Sequence, residues 1–307
     1  MQAFSVQDFP LARLHFVATA DHDLQLPRFT GSMLRGAFGH ALKSLVCVTG
    51  LNDCRQCPLY RSCAYPAVFE PPPPAHAGRG HAQIPVPYVV EPPPFDHAGR
   101  YGAGKEFCFS MVLIGPALDH QNLIISAWRR ALAAGLGPGR ARLTLQRVVD
   151  EGGSPVYSRQ DGATRHQPVR YEFVPQSRPV SQLTFEFVTP LNLRSRGREL
   201  DCDSVNPYLL LMALARRTTN FTTLLLGCKL LPDYSQLAQQ AQKAEGHKQL
   251  VWKIWRRKSS RQKQSMPIGG VIGRWHLKGP LDDFWPFIHL GQWLHVGKKC
   301  SFGLGRY

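Results

Sequence analysis

The sequence predicts an α+β protein made of two successive β-α-β-β-α-β units, and three observations predict it. Segments of alternating or continuous apolar residues, the pattern of strands, recur in each half with two stretches of helical period among them. A polar stretch, EGGSPVYSRQDGATRHQPVRYEFVPQSRPV, separates the halves. At 307 residues the chain is long enough for two cores rather than one.

LARLHFVATA, Leu11 to Ala20, alternates as a first strand with Leu14 and Phe16 on one face. In LPRFTGSMLRGAFGHALKSLVC, Leu34, Phe38, Ala41, Leu42 and Leu45 fall at helical spacing, with Thr30 or Ser32 available as cap. His40 and Lys43 lie one turn apart and away from the leucine stripe, with Gly36 leaving room for a ligand; a solvated histidine is the plainer reading of the same pattern. A strand at Val86 to Val90, another at Lys105 to Gly115, a helix over Leu123 to Ala134 and the strand ARLTLQRVVD complete the first unit. The second unit repeats the order. SQLTFEFVTPLNL is a strand, and NPYLLLMALARRTTNFTTLLL is a helix capped by Asn206 with Pro207 in its first turn. Two strands joined by a basic loop follow, then a helix in LDDFWPFIHLGQWLH and a glycine-rich close. Each unit has the order of the ferredoxin-like (RRM-like) fold, so the expectation is two such domains in tandem, 1–175 and 176–307. The first carries a cysteine- and proline-rich insertion at about 47–95.

Lys and Arg total 37 against 21 Asp and Glu, a formal charge of +16. Such an excess marks a polyanion as partner. Its distribution favours exposed nucleic-acid bases over lipid headgroups: Gly246 to Leu281 holds nine basic residues and no acidic one, interleaved with Trp252, Trp255 and Trp275. The opening MQAFSVQDFP lacks a basic region followed by an apolar core, and no apolar run reaches the length of a membrane span, so a cytoplasmic protein is expected.

Four of the eight cysteines cluster, Cys47, Cys54, Cys57 and Cys63. Cys54 and Cys57 form a C-x-x-C knuckle, and Gly50 and Pro58 permit the turns that four soft ligands need to converge on zinc. A structural zinc, an iron–sulfur cluster and plain thiols all remain open, because the step from Cys47 to Cys54 is not a standard knuckle. Four thiolates would leave no open position for water, so a metal here would be structural. Cys108, Cys202, Cys228 and Cys300 are expected to be small buried apolar residues.

The closing segment WLHVGKKCSFGLGRY sets Gly297, Gly303 and Gly305 among Lys298, Lys299 and Arg306. Glycine allows close approach of backbone N–H groups and the cations suit phosphate, so this loop is read as an anion holder; a tight turn into an edge strand is the plainer alternative. The basic hairpin with Lys253, Arg256, Arg257, Lys258, Arg261 and Lys263 is a second cationic candidate, with a solvated edge strand protected against aggregation as its plainer alternative. LNLRSRGREL, with Arg194, Arg196 and Arg198, is a weaker third that could simply be solvated.

GSMLRGAFGHALKSL with its trailing cysteines, PVPYVVEPPP, SSRQKQSMPIGGVIG and GKKCSFGLGRY together resemble the CRISPR-associated RAMP-superfamily endoribonucleases, which process precursor CRISPR RNA. The last stretch is similar to the family's glycine-rich signature, with His295 where a further glycine is common. The resemblance implies metal-independent cleavage of repeat RNA, often a stem-loop gripped by the basic hairpin of Lys253 to Lys263, by attack of the ribose 2′-OH on the adjacent phosphate. The products are a 2′,3′-cyclic phosphate and a 5′-OH, with no cofactor in the chemistry. It further implies partnership with other CRISPR effector-complex subunits and retention of the mature guide RNA. Family enzymes often place a catalytic histidine in or near the first helix, and His40 matches that position. The chemistry needs an acid or base and a cation against the extra charge on phosphorus, for which Lys43 is the first candidate and Arg35 the second. Two other functions compete: a RAMP subunit that holds the repeat-derived end of the guide without turnover, and a zinc-containing DNA-binding protein.

Overall fold

The computed structural model describes residues 9–73, 84–94, 99–162, 171–174, 178–228, 230, 232–259 and 264–307, of which residues 256–259 and 264–266 are described in backbone only. Its elements in order are β1 (Leu11–Ala20), β2 (Leu24–Gln25), α1 (Gly31–Val46), α2 (Ala64–Phe69), β3 (Tyr88–Glu91), β4 (Arg100–Tyr101), β5 (Glu106–Ile114), α3 (Gln121–Ala134), β6 (Leu143–Asp150) and β7 (Pro155–Ser158). They continue with β8 (Gln182–Leu191), β9 (Arg194–Ser195), β10 (Arg198–Glu199), α4 (Pro207–Leu224), α5 (Tyr234–Gln242), β11 (Glu245–Ser259), β12 (Gln264–Lys278) and α6 (Trp285–Leu294). The α+β class expected from the sequence is the one observed. The chain divides into two units, one of Phe9–Tyr171 with Leu224–Gly227, the other containing Glu172–Thr223 and Cys228–Tyr307.

In the first unit the strands run β3-β5-β1-β6-β7, all pairs antiparallel. Alternation decides which face is buried. Leu14, Phe16 and Ala18 of β1 join Leu34, Phe38 and Leu42 of α1 and Ile124 and Trp128 of α3 in one core. Its centre is aromatic: Phe109 lies 4.5 Å and Phe38 5.2 Å from Trp128 between ring centroids, and the Trp128 indole N–H donates to the Met111 sulfur at 3.2 Å. The odd-numbered positions of β1 point to the opposite face. There Arg13 pairs with Glu91 at 3.0 Å and Glu151 at 2.9 Å, and His15 bridges Ser110 and Glu151. A hydrogen bond from His15, opposed by partial burial and helped by the Arg13 charge, holds the Glu151 carboxyl below the usual carboxylate range.

The second unit has a three-stranded antiparallel sheet, β11-β12-β8, with Phe185, Phe187, Leu210, Leu214, Trp275 and Phe284 in its core. The expected cap of α4 is present, the Leu209 N–H donating to Asn206 Oδ1 at 2.9 Å. Among the described residues no fourth strand forms beside β8. The tail runs there instead, the Val188 N–H donating to the Arg306 carbonyl at 3.0 Å, because Gly303 and Gly305 adopt φ of +88° and +71° and break the extended chain.

Several elements were not legible in advance. α2 contains Pro66, which lowers helix propensity yet fits within the first turn of a six-residue helix. β7 lies inside the stretch read as a polar spacer, and α5 is capped by Asp233, whose side chain accepts from the Ser235 and Gln236 N–H groups. At the start of α1, Thr30 occupies the cap position but makes no side-chain cap bond, and Ser32 lies within the helix. Cys108 is exposed rather than buried, since it sits on the helix-free face of β5; Cys202 and Cys228 are half-buried and Cys300 is buried. No helix among the described residues is long and apolar enough to cross a membrane.

Candidate functional site

Helix α1 separates its faces as its periodicity requires. Leu34, Phe38 and Leu42 are fully buried, and His40 on the opposite side is exposed, its side chain making no hydrogen bond or ion pair among the described residues. A Cβ added at Gly36 would meet nothing within 4 Å, so the expected open space on this helix is there. Gly39 does the reverse: a Cβ there would run into the Phe69 ring, and its absence lets α2 dock on α1.

The two candidate cations of α1 are both engaged by the protein. Lys43 is half-buried and its ammonium donates to the carbonyls of Leu51 at 3.0 Å and Asn52 at 3.3 Å, with the Tyr65 ring 5.9 Å away. The Arg35 guanidinium lies 4.2 Å from the Phe69 ring centroid and 5.9 Å from that of Tyr88. Complete burial pushes the Tyr88 hydroxyl far above its usual range, and the Arg35 charge only partly opposes this. Sequence spacing placed Lys43 beside His40. It did not reveal that the loop after α1 folds back to offer its carbonyls.

Cys47, Cys54, Cys57 and Cys63 all line one small cavity, together with Lys43, Leu51 and Tyr65. A hydrogen bond from the Gly50 N–H lowers the Cys47 thiol. Burial raises the Cys54 thiol against the Lys43 charge, and the neighbouring Cys47 and Cys63 raise it further. Among the described residues no group of three His, Cys, Asp or Glu side chains stands in a geometry able to hold a metal ion. The four thiols therefore share a cavity without being drawn together.

The glycine-rich tail is built differently. Much of its backbone holds the loop in place rather than facing outward. The Val296 N–H donates to the Gly305 carbonyl at 3.1 Å, Gly305 to Pro190 at 3.0 Å, Lys298 to Asn192 at 2.8 Å and Gly303 to Cys300 at 2.7 Å. A Cβ at Gly305 would run into the Val296 carbonyl. His295 is fully buried with φ +57°, so it keeps the left-handed backbone that glycine adopts without strain, and its Nδ1 lies 3.2 Å from the Leu304 carbonyl. Lys298 is exposed, while Gly297, Lys299 and Arg306 are half-buried.

β12 pairs with β8 between Val271 and Lys278, so the facing parts of β11 and β12 extend past the sheet as a two-stranded arm. Lys253 on this arm is exposed, and Trp252 packs over Gly269. The side chains of Arg256, Arg257 and Lys258 lie outside the described ones, and Arg261 and Lys263 lie outside the described residues.

One residue that ties these parts together was missed. Asn192 is 1% exposed; its side-chain amide donates to the Gly269 carbonyl and its backbone carbonyl accepts from the Lys298 N–H. The signal available was a lone amide between Leu191 and Leu193 at the end of an apolar strand, where a buried polar group must find partners.

A two-unit α+β chain with an exposed helical histidine in one unit and a cation-bearing glycine loop in the other defines a class, and the comparisons say which proteins it resembles. Residues 185–307 match the model described as CRISPR-associated endoribonuclease Cas6, and residues 9–169 match one described as an N-terminal domain. Over residues 185–307 the chain is thus similar to the CRISPR-associated Cas6 endoribonucleases. Among solved structures, a partial Cas6-RT-Cas1-Cas2 complex matches with TM-score 0.60 and 16% identity over 99% of this chain. The chain spans 46% of that structure's length. A Cas6 product complex matches at 0.58 and 14%, covering 96% of this chain and 98% of the other. Thermus thermophilus Cas6 matches at 0.53 and 14%, covering 97% of each. These likenesses show the fold. No curated protein matches the chain.

Proposed function

We propose that this protein is an endoribonuclease that cleaves CRISPR repeat RNA to mature guide RNA without a metal in the chemistry. The observation that carries the reading is the Cas6 match over residues 185–307, the part that holds the glycine loop and the basic arm. One of the structures sharing its fold is a Cas6 product complex. The two units are read as tandem ferredoxin-like domains, 1–175 and 176–307. Support for the first is its β-α-β-β-α-β core, whose four strands lie in the order second, third, first, fourth.

In the proposed reaction the ribose 2′-oxygen forms a bond to the adjacent phosphorus as its proton leaves. The bond from phosphorus to the 5′-oxygen breaks, and that oxygen takes up a proton. A 2′,3′-cyclic phosphate and a 5′-OH result. His40 carries one of these protons; it is exposed, and imidazole changes charge near neutral pH. Lys43, one turn further along α1, is the proposed cation, and it reaches a phosphate by leaving the carbonyls of Leu51 and Asn52. Arg35, packed on Phe69, braces α2 and serves the site indirectly. Lys253, the arginines and lysines of the arm, and Lys298, Lys299 and Arg306 grip the repeat, read as a stem-loop, in the cytoplasm. The product is retained with other effector subunits.

The four cysteines fit a structural zinc by donor chemistry and by their common cavity, although their thiols must close in to bind it. Cys47, Cys54, Cys57 and Cys63 would hold the ion, and the loop they fix carries the carbonyls that tether Lys43.

The test is cleavage of the source genome's repeat RNA after chelation, with and without a 2′-deoxy substitution at the scissile nucleotide. Cleavage that survives chelation and stops with the deoxy substrate is the expected result. A protein that binds the repeat and never cuts it is instead a guide-holding subunit.

A further inference from the structure

The short hairpin of β9 and β10 is a two-residue turn. Arg198 pairs with Ser195 and Glu199 with Arg194, leaving Arg196 and Gly197 at the tip with φ of +48° and +81°. Successive positive φ values suit the right-handed twist of a hairpin, and asparagine or glycine is the usual occupant of the first position. An arginine there carries backbone strain, which stability alone does not explain.

The charges of the hairpin are divided unequally. Arg194 and Glu199 pair at 2.8 Å. Burial pushes the Glu199 carboxyl up, but hydrogen bonds from Arg194 and Asn192 and the charge of Lys299 hold it below the usual range. The hairpin's one carboxylate is thus committed to Arg194 and to the glycine loop. Arg196 and Arg198 are exposed, and their side chains make no hydrogen bond or ion pair among the described residues.

The base of the hairpin is also joined to the other cationic segments. Asn192, two residues before β9, accepts from the Lys298 N–H at 2.8 Å and donates to the Gly269 carbonyl at 2.6 Å, where the arm leaves the sheet. A Cβ at Gly297 would press on the Asn192 carbonyl, so the glycine loop can approach this strand end only with glycine there. Hairpin, glycine loop and arm are therefore fixed to one buried residue.

We propose that Arg196 and Arg198 bind RNA phosphates, extending the surface of the glycine loop and the arm to a third segment. The inference rests on the RNA reading above. Guanidinium groups bind phosphate bidentately, and two of them on a rigid turn act as backbone contacts that do not depend on base identity.

The test measures affinity for the repeat RNA across a salt series for wild type, for Arg196→Gln with Arg198→Gln, and for Arg196→Gly. The double variant is expected to bind weaker by roughly one order of magnitude at low salt. Its slope of log affinity against log salt should fall by about 1.4 for single-stranded contacts or about 1.8 for duplex contacts. Arg196→Gly relieves the left-handed strain, so it should keep or raise the melting temperature while losing its share of the slope. Wild-type affinity and slope in both variants would overturn the proposal. A wild type that binds but does not cut removes the cleavage reading and leaves the slope comparison decisive here. A wild type that does not bind the repeat ends both.

Discussion

The helix α1 region and the glycine-loop region use charge in opposite ways. Around α1 the protein engages the cations itself, Lys43 with two carbonyls and Arg35 with an aromatic ring, and leaves the imidazole of His40 exposed. Around the glycine loop it engages the backbone, through the Val296, Lys298, Gly303 and Gly305 N–H groups, and leaves Lys298, Arg196 and Arg198 exposed. Acid–base chemistry needs one titratable group on a rigid support. Phosphate binding needs several cations whose backbone is fixed in advance. Under the proposed function this difference is a division of labour, turnover in the first unit and grip in the second.

That division breaks most readily at His40. His40→Ala is expected to lower the single-turnover cleavage rate at saturating RNA by about 100-fold to 10,000-fold. Its affinity for the repeat should change by less than about twofold, since one exposed imidazole adds little to a polyanion contact. Equal losses of rate and affinity would put His40 in the grip and dissolve the contrast.

Replacing Cys54 and Cys57 together by Ser sharpens the same contrast from the structural side. If zinc fixes the loop, the wild type holds close to one equivalent by elemental analysis and the variant does not. The melting temperature of the variant should fall by about 2–4 °C for each kcal/mol of binding energy lost. Metal-free wild type with an unchanged melting point in the variant would leave the four as plain thiols.

Lys298→Ala gives the smallest effect. Removing one phosphate contact should reduce the salt slope of binding by about 0.7 on single-stranded or about 0.9 on duplex RNA, with the rate at saturation kept. A changed rate at saturation would mean that the glycine loop reaches the reacting phosphate.

Much of the scaffold was legible because it depends on short-range pattern. The 3.6-residue period of Leu34, Phe38 and Leu42 placed the buried face of α1, and so also the exposed side that carries His40. The proline of α6 fell where a helix start tolerates it, so the break in propensity did not mislead. α2 and β7 were missed for the converse reason. Both are short segments whose stability comes from the sheet and helix they pack on, not from their own propensity.

By itself the sequence determined the two cores, the exposure of His40, the clustering of four cysteines and the excess of cations in the second half. Each follows from residue type and period along the chain. Only the tertiary structure decided that Lys43 and Arg35 are engaged, that the tail forms no fourth strand, and that Asn192 joins three cationic segments. Those outcomes depend on which distant carbonyl, ring or amide each polar group meets, and local pattern does not encode partners that lie tens of residues apart.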